Sequence, residues 1–564
     1  MSDFSSISSF IWNVCDDVLR GLFKQHEYGD VILPFVVLRR LDCVLESQKD
    51  EVVSLFEEWA TKVDDPAPII LNQVGTTFFN RSRYDLKRLT GDPNNIRINL
   101  EQYLDGYSHN VREIVENFGL ARPLQKLHKN NRLFLFIEKF TEIDLHPSRV
   151  SNHTMGQIFE ELLRRFSEMS NETSGEHYTP RDVVRLLVSL IFNEDRERLE
   201  SQGLVRSVYD PCCGTGGMLS ISKEWVHDEV NPDVELRLLG QELNPQTYSI
   251  CKSDMLVTDD DPDNIRLGSS LSEDRFVGER FDYMITNPPY GVSWKSEKDF
   301  VEEEAASSLG RFSAGTPRSS DGQLLFLQHM ISKVDPDRGS RIGIVFNEAP
   351  LVSGKPSSGE SEIRRWIIEN DWLEGVVRLP DQLFFNTGIT TYLWIISTRK
   401  EDRRKGLVQL IDASGLFSPL QRSLGNKRRR LEGDHISRIQ SAYESQEESE
   451  ISKLVPCDGF GFAEYTVSRP VEGGAKDKFS ISVPLAVDEE EYLNSEVFSH
   501  FRDGWVLDRG RKRLGYQVHF GEHFPPDYES RESGAITSSL NELCDEIDDS
   551  VSSLRSLLKG LSDA

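Results

Sequence analysis

Residues 208–219, "VYDPCCGTGGML", join the end of an apolar segment to a glycine-rich turn and the start of a helix. Asp210 stands where the predicted strand ends. The turn consists of Gly214, Thr215, Gly216 and Gly217. Glycines let a backbone approach a ligand closely, and the first amides of a helix are free donors. The spacing is neither GxGxxG nor GK[ST], which disfavours a dinucleotide site or a phosphate loop. The stretch predicts a strand–turn–helix unit that binds another kind of ligand.

Short apolar runs alternate with helical stretches on both sides of this unit, from about residue 166 onward. The runs are 205–210, 235–242, 281–286, 341–346, 373–379 and 391–397. Repetition of strand and helix in this order is typical of a mostly parallel sheet with helices on both faces. We therefore expect an α/β, doubly wound, Rossmann-like domain over residues 166–400.

The regions that flank this domain have different sequence patterns. Residues 1–165 show helical periodicity, as in "FIWNVCDDVLRGLF" (10–23), and predict an all-helical N-terminal domain. Residues 401–480 are rich in charge, which predicts a loop-rich surface excursion and not a core. Residues 481–564 are expected to form a C-terminal region that ends in a helical tail. Its apolar residues from Leu540 to Leu561 are spaced alternately by four and three. The tail is either an amphipathic helix on the protein's own surface or a docking helix for another subunit.

Composition limits the classes of protein that the chain can belong to. The 65 Lys and Arg residues against 93 Asp and Glu residues give a net charge of −28, which opposes coating of DNA by this chain alone. No apolar run of about 18 residues predicts a membrane span, and the start shows no secretory signal. The seven cysteines form no CxxC pair. We expect a cytoplasmic protein with reduced thiols and no structural zinc.

A carboxylate follows the second predicted strand. Glu242 in "LLGQELNP" (238–245) occupies the place where doubly wound folds put an acid that accepts the hydroxyls of a ribose. Together with the glycine turn it predicts a ribose-containing cofactor without a pyrophosphate. The alternative is that the glycines simply make a turn.

The segment "FDYMITNPPYGVSW" (281–294) ends another apolar run with Asn287, Pro288, Pro289 and Tyr290. The Asn287 carbonyl and a backbone carbonyl held by the prolines are acceptors for an amino group with two hydrogens. Such acceptors stabilise positive charge that develops on nitrogen. The Tyr290 ring can stack on a base that has left the duplex. Taken alone, the motif is better explained as a proline-rich turn with a packed tyrosine, and its combination with the glycine turn about 70 residues earlier is what favours a site.

In this order, "GEHYTPRDVVRLLV" (175–188), "DPCCGTGGML" (210–219) and "NPPY" (287–290) resemble the N6-adenine DNA methyltransferases, specifically the modification (M) subunit of type I restriction-modification systems. The similarity extends from about residue 10 to about residue 440 and includes "LGNKRRRL" (424–431). The resemblance implies that 166–400 is an S-adenosylmethionine-dependent methyltransferase domain.

The resemblance also implies the residues of the site. Those expected to bind S-adenosylmethionine are Glu176, His177, Tyr178, Thr179, Pro180, Arg181, Asp210, Gly214, Thr215, Gly216, Gly217 and Glu242. The motif 287–290 is expected to face the target adenine. One departure concerns Ser269, which stands where such enzymes often carry an acid that holds the cofactor's adenine. That contact is expected from Asp254, from a backbone carbonyl or, less strongly, from Ser269.

The function implied by the resemblance is methyl transfer from S-adenosylmethionine to N6 of a flipped-out adenine in double-stranded DNA. The implied partners are a specificity (S) subunit, a restriction (R) subunit and a second copy of this chain. Alternatives are a protein glutamine methyltransferase, a cofactor-binding scaffold without turnover, and an N4-cytosine enzyme. No general base, cysteine nucleophile or metal is required. Basic clusters at 427–430 and 509–513 are expected to be either phosphate contacts or, with more weight, solvated surface.

Overall fold

The computed structural model describes residues 3–170 and 179–525, apart from 202, 386, 471–475 and 500–505. Within 3–170, helices follow one another and form one apolar core. They are α1 (Asp3–Val14), α2 (Gly29–Leu45), α3 (Lys49–Trp59), α4 (Ala67–Val74), α5 (Leu86–Leu89), α6 (Ile96–Asp105), α7 (His109–Asn117), α8 (Ala121–Lys129), α9 (Leu133–Thr141) and α10 (Asn152–Ser170). Helix α2 is buried along almost its whole length. The predicted helical N-terminal region is confirmed.

Strands and helices alternate in the chain beyond residue 179. The strands are β1 (Val205–Asp210), β2 (Glu235–Glu242), β3 (Ile265–Leu267), β4 (Tyr283–Thr286), β5 (Arg341–Phe346), β6 (Leu373–Arg378), β7 (Tyr392–Ser397), β8 (Leu407–Asp412), β9 (Ser418–Leu424), β10 (Lys427–Arg430), β11 (Ser452–Pro456), β12 (Gly461–Pro470), β13 (Lys476–Pro484) and β14 (Val506–Tyr516). The helices are α11 (Arg181–Phe192), α12 (Arg196–Leu199), α13 (Gly217–Glu229), α14 (Pro245–Val257), α15 (Lys298–Ala305), α16 (Gln323–Ser332), α17 (Ala349–Val352), α18 (Gly359–Glu369), α19 (Gly433–Ser445), α20 (Glu489–Tyr492) and α21 (Phe520–His523).

Among the described residues, nine strands form a central sheet in the order β11-β8-β6-β7-β5-β4-β1-β2-β3. Strands β3, β2, β1, β4 and β5 are parallel, while β7 runs antiparallel to both β5 and β6. Strand β1 pairs with β2 on one side and with β4 on the other, so the chain order reverses at β1. The predicted doubly wound, mostly parallel α/β fold is confirmed, and its switch point lies between β1 and β4.

The interpretation of residues 401–480 as a surface excursion is wrong. Strands β8 and β11 extend the central sheet, with β8 parallel to β6 and β11 antiparallel to β8. Helix α19 covers this end of the sheet and buries Ile439 and Tyr443. The charged residues that suggested a loop lie on the hairpin β9–β10 and after α19. The short apolar run 407–411, which precedes both charged stretches, belongs to the core.

The C-terminal part of the chain contains strands that the sequence did not predict. Strands β13, β12 and β14 form an antiparallel sheet in that order, with a small core that includes Tyr465 and Leu493. Residues 519–564 form a second compact unit, whose described part is 519–525 with α21. The predicted helical tail and its seam at 540–561 lie outside the described residues.

The two regions predicted as separate domains share one core. Ile250 and Leu256 of α14 belong to the apolar cluster of the N-terminal helices. Lys252, also on α14, is 3% exposed and lies 2.8 Å from Glu113 of α7. Within the part of the chain that the structure describes, no helix has the length and apolar character of a membrane span.

Candidate cofactor and substrate site

A cleft of about 570 Å³ opens at the carboxyl ends of β1, β2 and β4, at the switch point of the sheet. This is the edge where open α/β sheets bind ligands. The cleft brings together residues from six parts of the chain: Glu160, Thr179, the turn 210–217, Glu242 with 243–245, Ser269, and Asn287 with Pro289. Most of the predicted site residues therefore meet in one place.

The glycine turn and Glu242 form one rigid unit. Glu242 Oε2 accepts a hydrogen bond of 2.7 Å from the Gly214 amide, and Oε1 accepts one of 2.7 Å from the Asn244 amide. Gly216 has a φ of +85°, and a Cβ there would lie 2.8 Å from Cys251 Sγ. Only glycine satisfies both conditions without strain. The carboxylate at the end of β2 is held in a single orientation beside the turn.

Asp210 is buried under the turn. Its Oδ1 accepts hydrogen bonds from Thr286 Oγ1 at 2.5 Å and from the Cys212 amide at 3.0 Å. Burial, helped by the charge of nearby Glu242, raises the pKa of the Asp210 carboxyl to about 7, although the hydrogen bonds from Thr286 and the Cys212 amide oppose the rise. Asp210 thus links the ends of β1 and β4, and at neutral pH both its protonated and ionised forms are populated.

Asn287 directly follows β4, but its side chain already has partners. Its Nδ2 donates to Thr179 Oγ1 over 2.8 Å, and its Oδ1 accepts from the Tyr290 hydroxyl over 2.5 Å. The expectation of an Asn287 carbonyl without a protein partner is therefore wrong for this structure. The tyrosine of the same motif occupies the acceptor because the turn through Pro288 and Pro289 returns it to the asparagine.

Tyr290 is also less accessible than the sequence suggested. The residue is 8% exposed and belongs to the core cluster around the sheet. Its ring makes an edge contact with Phe384, with centroids 6.5 Å apart. Burial raises the pKa of the Tyr290 hydroxyl, which keeps it a neutral donor. In this state the ring is not an open stacking face.

Ser269 lies at the end of the cleft near Glu242 and has an acid beside it. Its hydroxyl donates to Glu297 Oε1 over 3.2 Å, and both residues line the cleft. Sequence reasoning missed Glu297 because it comes after the NPPY motif and not after β3. Asp254, the other predicted candidate, is not in this cleft. It lines a second cavity of about 390 Å³, where burial raises its pKa to about 6.

The segment 176–181 is described in part. Glu176, His177 and Tyr178 lie outside the described residues. Thr179 lines the cleft, Pro180 caps α11, and Arg181 begins that helix. Arg181 Nε lies 3.2 Å from Glu160 Oε1. Sequence reasoning missed Glu160 because its helix, α10, was assigned to the N-terminal domain. The available signal was an acid within the apolar pattern of "MGQIFEELL" (155–163).

The sheet order and the cleft at its switch point define a methyltransferase-type α/β protein. Among solved structures, the fold is similar to a type I restriction-modification methyltransferase subunit from Streptococcus thermophilus. The TM-score is 0.61 with 23% identity, over 81% of this chain and 96% of that one. A structure from work on assembly and conformational transition of a type I restriction-modification system aligns over 98% of both chains, with a TM-score of 0.50 and 22% identity. These likenesses support the fold.

The family follows from the sequence matches. The N-6 DNA methylase family model matches residues 150–478, and the HsdM N-terminal domain model matches residues 7–140. The chain belongs to the N-6 DNA methylase family, among the methylase subunits of type I restriction enzymes. The predicted resemblance is confirmed.

Individual relatives agree with this assignment. The MjaIX methylase subunit of Methanocaldococcus jannaschii is 26% identical over 86% of this chain and 89% of its own length. The EcoEI methylase subunit of Escherichia coli is 30% identical over 50% of this chain, a match that spans 54% of that relative.

Proposed function

We propose that this chain transfers a methyl group from S-adenosylmethionine to the N6 amino group of an adenine in DNA, as the modification subunit of a type I restriction-modification complex. The observation that carries the proposal is the cleft that joins the Glu242–Gly214 unit to Asn287. In this cleft Glu242 at the end of β2 and Asn287 directly after β4 lie on either side of β1, which suits a ribose and an amino group.

The residues of the cleft fit S-adenosylmethionine. Glu242 is oriented by two backbone donors, which leaves its carboxylate fixed for the hydroxyls of a ribose. Gly214 and Gly216 remove the Cβ atoms that would block an approach to the turn. Glu297, hydrogen bonded to Ser269, is a carboxylate acceptor for the cofactor's adenine amino group. When bound, this cofactor supplies a methyl group on a positively charged sulfur.

Asn287 and its neighbours then act on the amino group of the target base. The Tyr290 hydroxyl, bonded to Asn287 Oδ1, stands in for an N–H donor of the substrate. An incoming adenine displaces this hydroxyl, and Asn287 Oδ1 accepts the amino N–H instead. The bond from Asn287 Nδ2 to Thr179 keeps the carbonyl oxygen directed toward the base. A fixed acceptor of this kind favours the charge that develops on nitrogen during transfer.

The target adenine must leave the duplex to reach Asn287, because the amide lies at the edge of a partly enclosed cleft. The Tyr290 ring is released for stacking only after its hydroxyl has been displaced. Recognition of the base and opening of the stacking face are therefore coupled in this proposal.

Partners supply the attraction to DNA and the choice of sequence. The cationic side chains at 427–430 and 509–513 are largely neutralised: Lys427, Arg429, Arg430, Arg509, Arg511, Lys512 and Arg513 each pair with a carboxylate. With a net charge of −28 as well, the chain is poorly suited to bind DNA alone. We propose a specificity subunit, a restriction subunit and a second copy of this chain as its partners.

The test is transfer of labelled methyl from S-adenosylmethionine by the chain assembled with a specificity subunit. Label is expected on adenine N6 in DNA, and none on a protein glutamine or on cytosine N4. Asn287→Ala should lower the transfer rate at least about 100-fold, since it removes an acceptor that acts on the reacting nitrogen. The Kd for S-adenosylmethionine should change less than about threefold, because Asn287 contacts the other substrate.

Asn130→Ala, at an exposed end of α8, is the control and should leave the rate unchanged. Transfer that persists in Asn287→Ala would disprove the proposed role of this residue. Cofactor binding without transfer to any acceptor in the full complex would indicate a scaffold.

A further inference from the structure

Glu160 is an acid of the helical region that lies in the cofactor cleft. One side of α10 is buried in the N-terminal core through Ile158, Phe159 and Leu162. Glu160 emerges from the other side and lines the cleft next to Thr179 and Gly217. Its side chain is only 14% exposed. Burying an ionised carboxylate in such a position costs free energy unless hydrogen-bond or ion-pair partners compensate for the lost water.

The partner that the structure shows is Arg181. Arg181 Nε lies 3.2 Å from Glu160 Oε1, and its side chain is 11% exposed. Arg181 Nη1 is 2.9 Å from His153 Nδ1, and His153 lies about two turns before Glu160 on α10. Gly156 makes room for this arrangement, because a Cβ at that position would collide with Arg181 Nη2. Residues 153, 156 and 160 of α10 thus all lie against the guanidinium group of Arg181.

Stability alone is a weak reason for this pair. Replacing a buried ion pair with apolar residues often leaves stability unchanged or improves it. Burial raises the pKa of the Glu160 carboxyl, although Arg181 and His153 oppose that rise. The pair is also not sealed in a core. Glu160 lines the cleft at the start of α13, and Arg181 lines the adjoining second cavity, which shares Thr215 and Gly217 with the cleft. Two fixed, opposite charges that face adjoining spaces are complementary to a zwitterion.

The other residues of the cleft indicate which zwitterion binds. Glu160 shares the cleft with Thr179, which is bonded to Asn287, with the Glu242–Gly214 unit, and with Ser269 and its partner Glu297. These three groups suit the amino-acid end, the ribose and the adenine of S-adenosylmethionine. The amino-acid end carries an ammonium and a carboxylate.

We propose that Glu160 binds the α-ammonium group of the amino-acid end of S-adenosylmethionine while Arg181 binds its carboxylate. This assignment rests on the proposed function. It makes α10, whose apolar side belongs to the helical N-terminal core, a part of the cofactor site. The helical region then contributes directly to cofactor affinity.

Three ligands separate this role from a structural one. S-adenosylmethionine and S-adenosylhomocysteine both carry the amino-acid end, whereas methylthioadenosine keeps the nucleoside and the sulfur but lacks it. Binding of each to the full chain is measured by calorimetry. Glu160→Gln should weaken the first two at least about tenfold, because a charge-assisted contact is lost. The affinity of Glu160→Gln for methylthioadenosine should stay within about twofold of the wild-type affinity. The Glu161→Gln variant should bind all three ligands with wild-type affinity.

Glu161 is a matched control because it is the adjacent acid on α10 and pairs with Arg164 and Arg165 outside the cleft. Unchanged binding of S-adenosylmethionine to Glu160→Gln would overturn the proposal. An equal loss of affinity for methylthioadenosine would also overturn the proposal, since the substitution would then have acted by disturbing the glycine turn. If the wild-type chain binds none of the three ligands, the proposed function itself fails.

Gly156→Ala provides a second route if Glu160→Gln folds poorly. The new methyl group displaces the end of the flexible Arg181 side chain, while alanine suits a helix better than glycine. We expect at least about a threefold weaker affinity for S-adenosylmethionine and S-adenosylhomocysteine, with methylthioadenosine and the melting temperature nearly unchanged. Normal affinity for all three ligands would contradict the role of the pair.

Discussion

Asp210 shows how a single buried group links stability to pH. The residue is 2% exposed and closes the gap between the ends of β1 and β4 through its bond from Thr286. Its pKa rises from the ordinary 3.8 to about 7 mainly through burial. The folded state therefore binds a proton that the unfolded state releases between these two values. The contribution of Asp210 to the free energy of unfolding therefore falls as the pH rises through this range.

Asp210→Asn should remove this dependence, because the amide keeps an acceptor for Thr286 but cannot ionise. Relative to wild type, the variant should gain about 2 kcal/mol of stability as the pH rises from 5 to 7, at about 1.4 kcal/mol per pH unit below the pKa and less as the carboxyl titrates. Denaturant unfolding at pH 5, 6, 7 and 8 measures the difference. Asp228→Asn, exposed on α13, is the control. Parallel curves for wild type and Asp210→Asn would contradict the prediction.

Among the elements, β8 shows that the methylase domain extends beyond its predicted end at residue 400. It lies between β6 and β11 in the central sheet, and Ile411 is completely buried. The hairpin β9–β10, only a few residues later, is mostly exposed. Charge averaged over 401–480 hides this contrast, because a strand of six residues contributes little to the composition of an 80-residue window.

Ile411→Ala should therefore lower the free energy of unfolding by about 2–5 kcal/mol, since it leaves a cavity in a core strand. Leu424→Ala is the matched control on β9: Leu424 is 40% exposed, and its truncation should cost less than about 0.5 kcal/mol. Thermal or denaturant unfolding of both variants checks the prediction. Equal, small effects would mean that β8 is not part of the core.

At the scale of the whole molecule, α14 joins the helical region to the sheet. Its Ile250 and Leu256 belong to the N-terminal core, and its Lys252 is buried beside Glu113. Residues 1–518 accordingly form one compact unit. The predicted boundary near residue 165 falls within α10 and is not the border between two independent cores.

A fragment of residues 171–564 should thus be unstable by itself. Without the helical region it exposes Ile250 and Leu256 and leaves Lys252 without Glu113. We expect strong binding of a hydrophobic dye and rapid proteolysis of the fragment. Co-expression with residues 1–170 should restore both properties to those of the full chain. A fragment that melts at the wild-type temperature and binds no dye would show that the regions fold independently.

The sequence by itself determined the features that depend on neighbouring residues. The glycine turn after β1, Glu242 after β2 and Asn287 after β4 are each readable from a strand and the few residues that follow it. Because parallel strands bring their carboxyl ends to one edge, the approximate site also followed. The motifs in their order were sufficient for the family.

Only the tertiary structure decided the contacts between distant residues. It paired the Asn287 carbonyl with the Tyr290 hydroxyl and the Asn287 amide nitrogen with Thr179, placed Glu297 beside Ser269, and put Asp254 in a different cavity. It also brought Glu160 of the helical core against Arg181, and β8 into the sheet. These features depend on how whole elements pack. Periodicity predicts that a segment buries a face, but packing selects the partner that covers it.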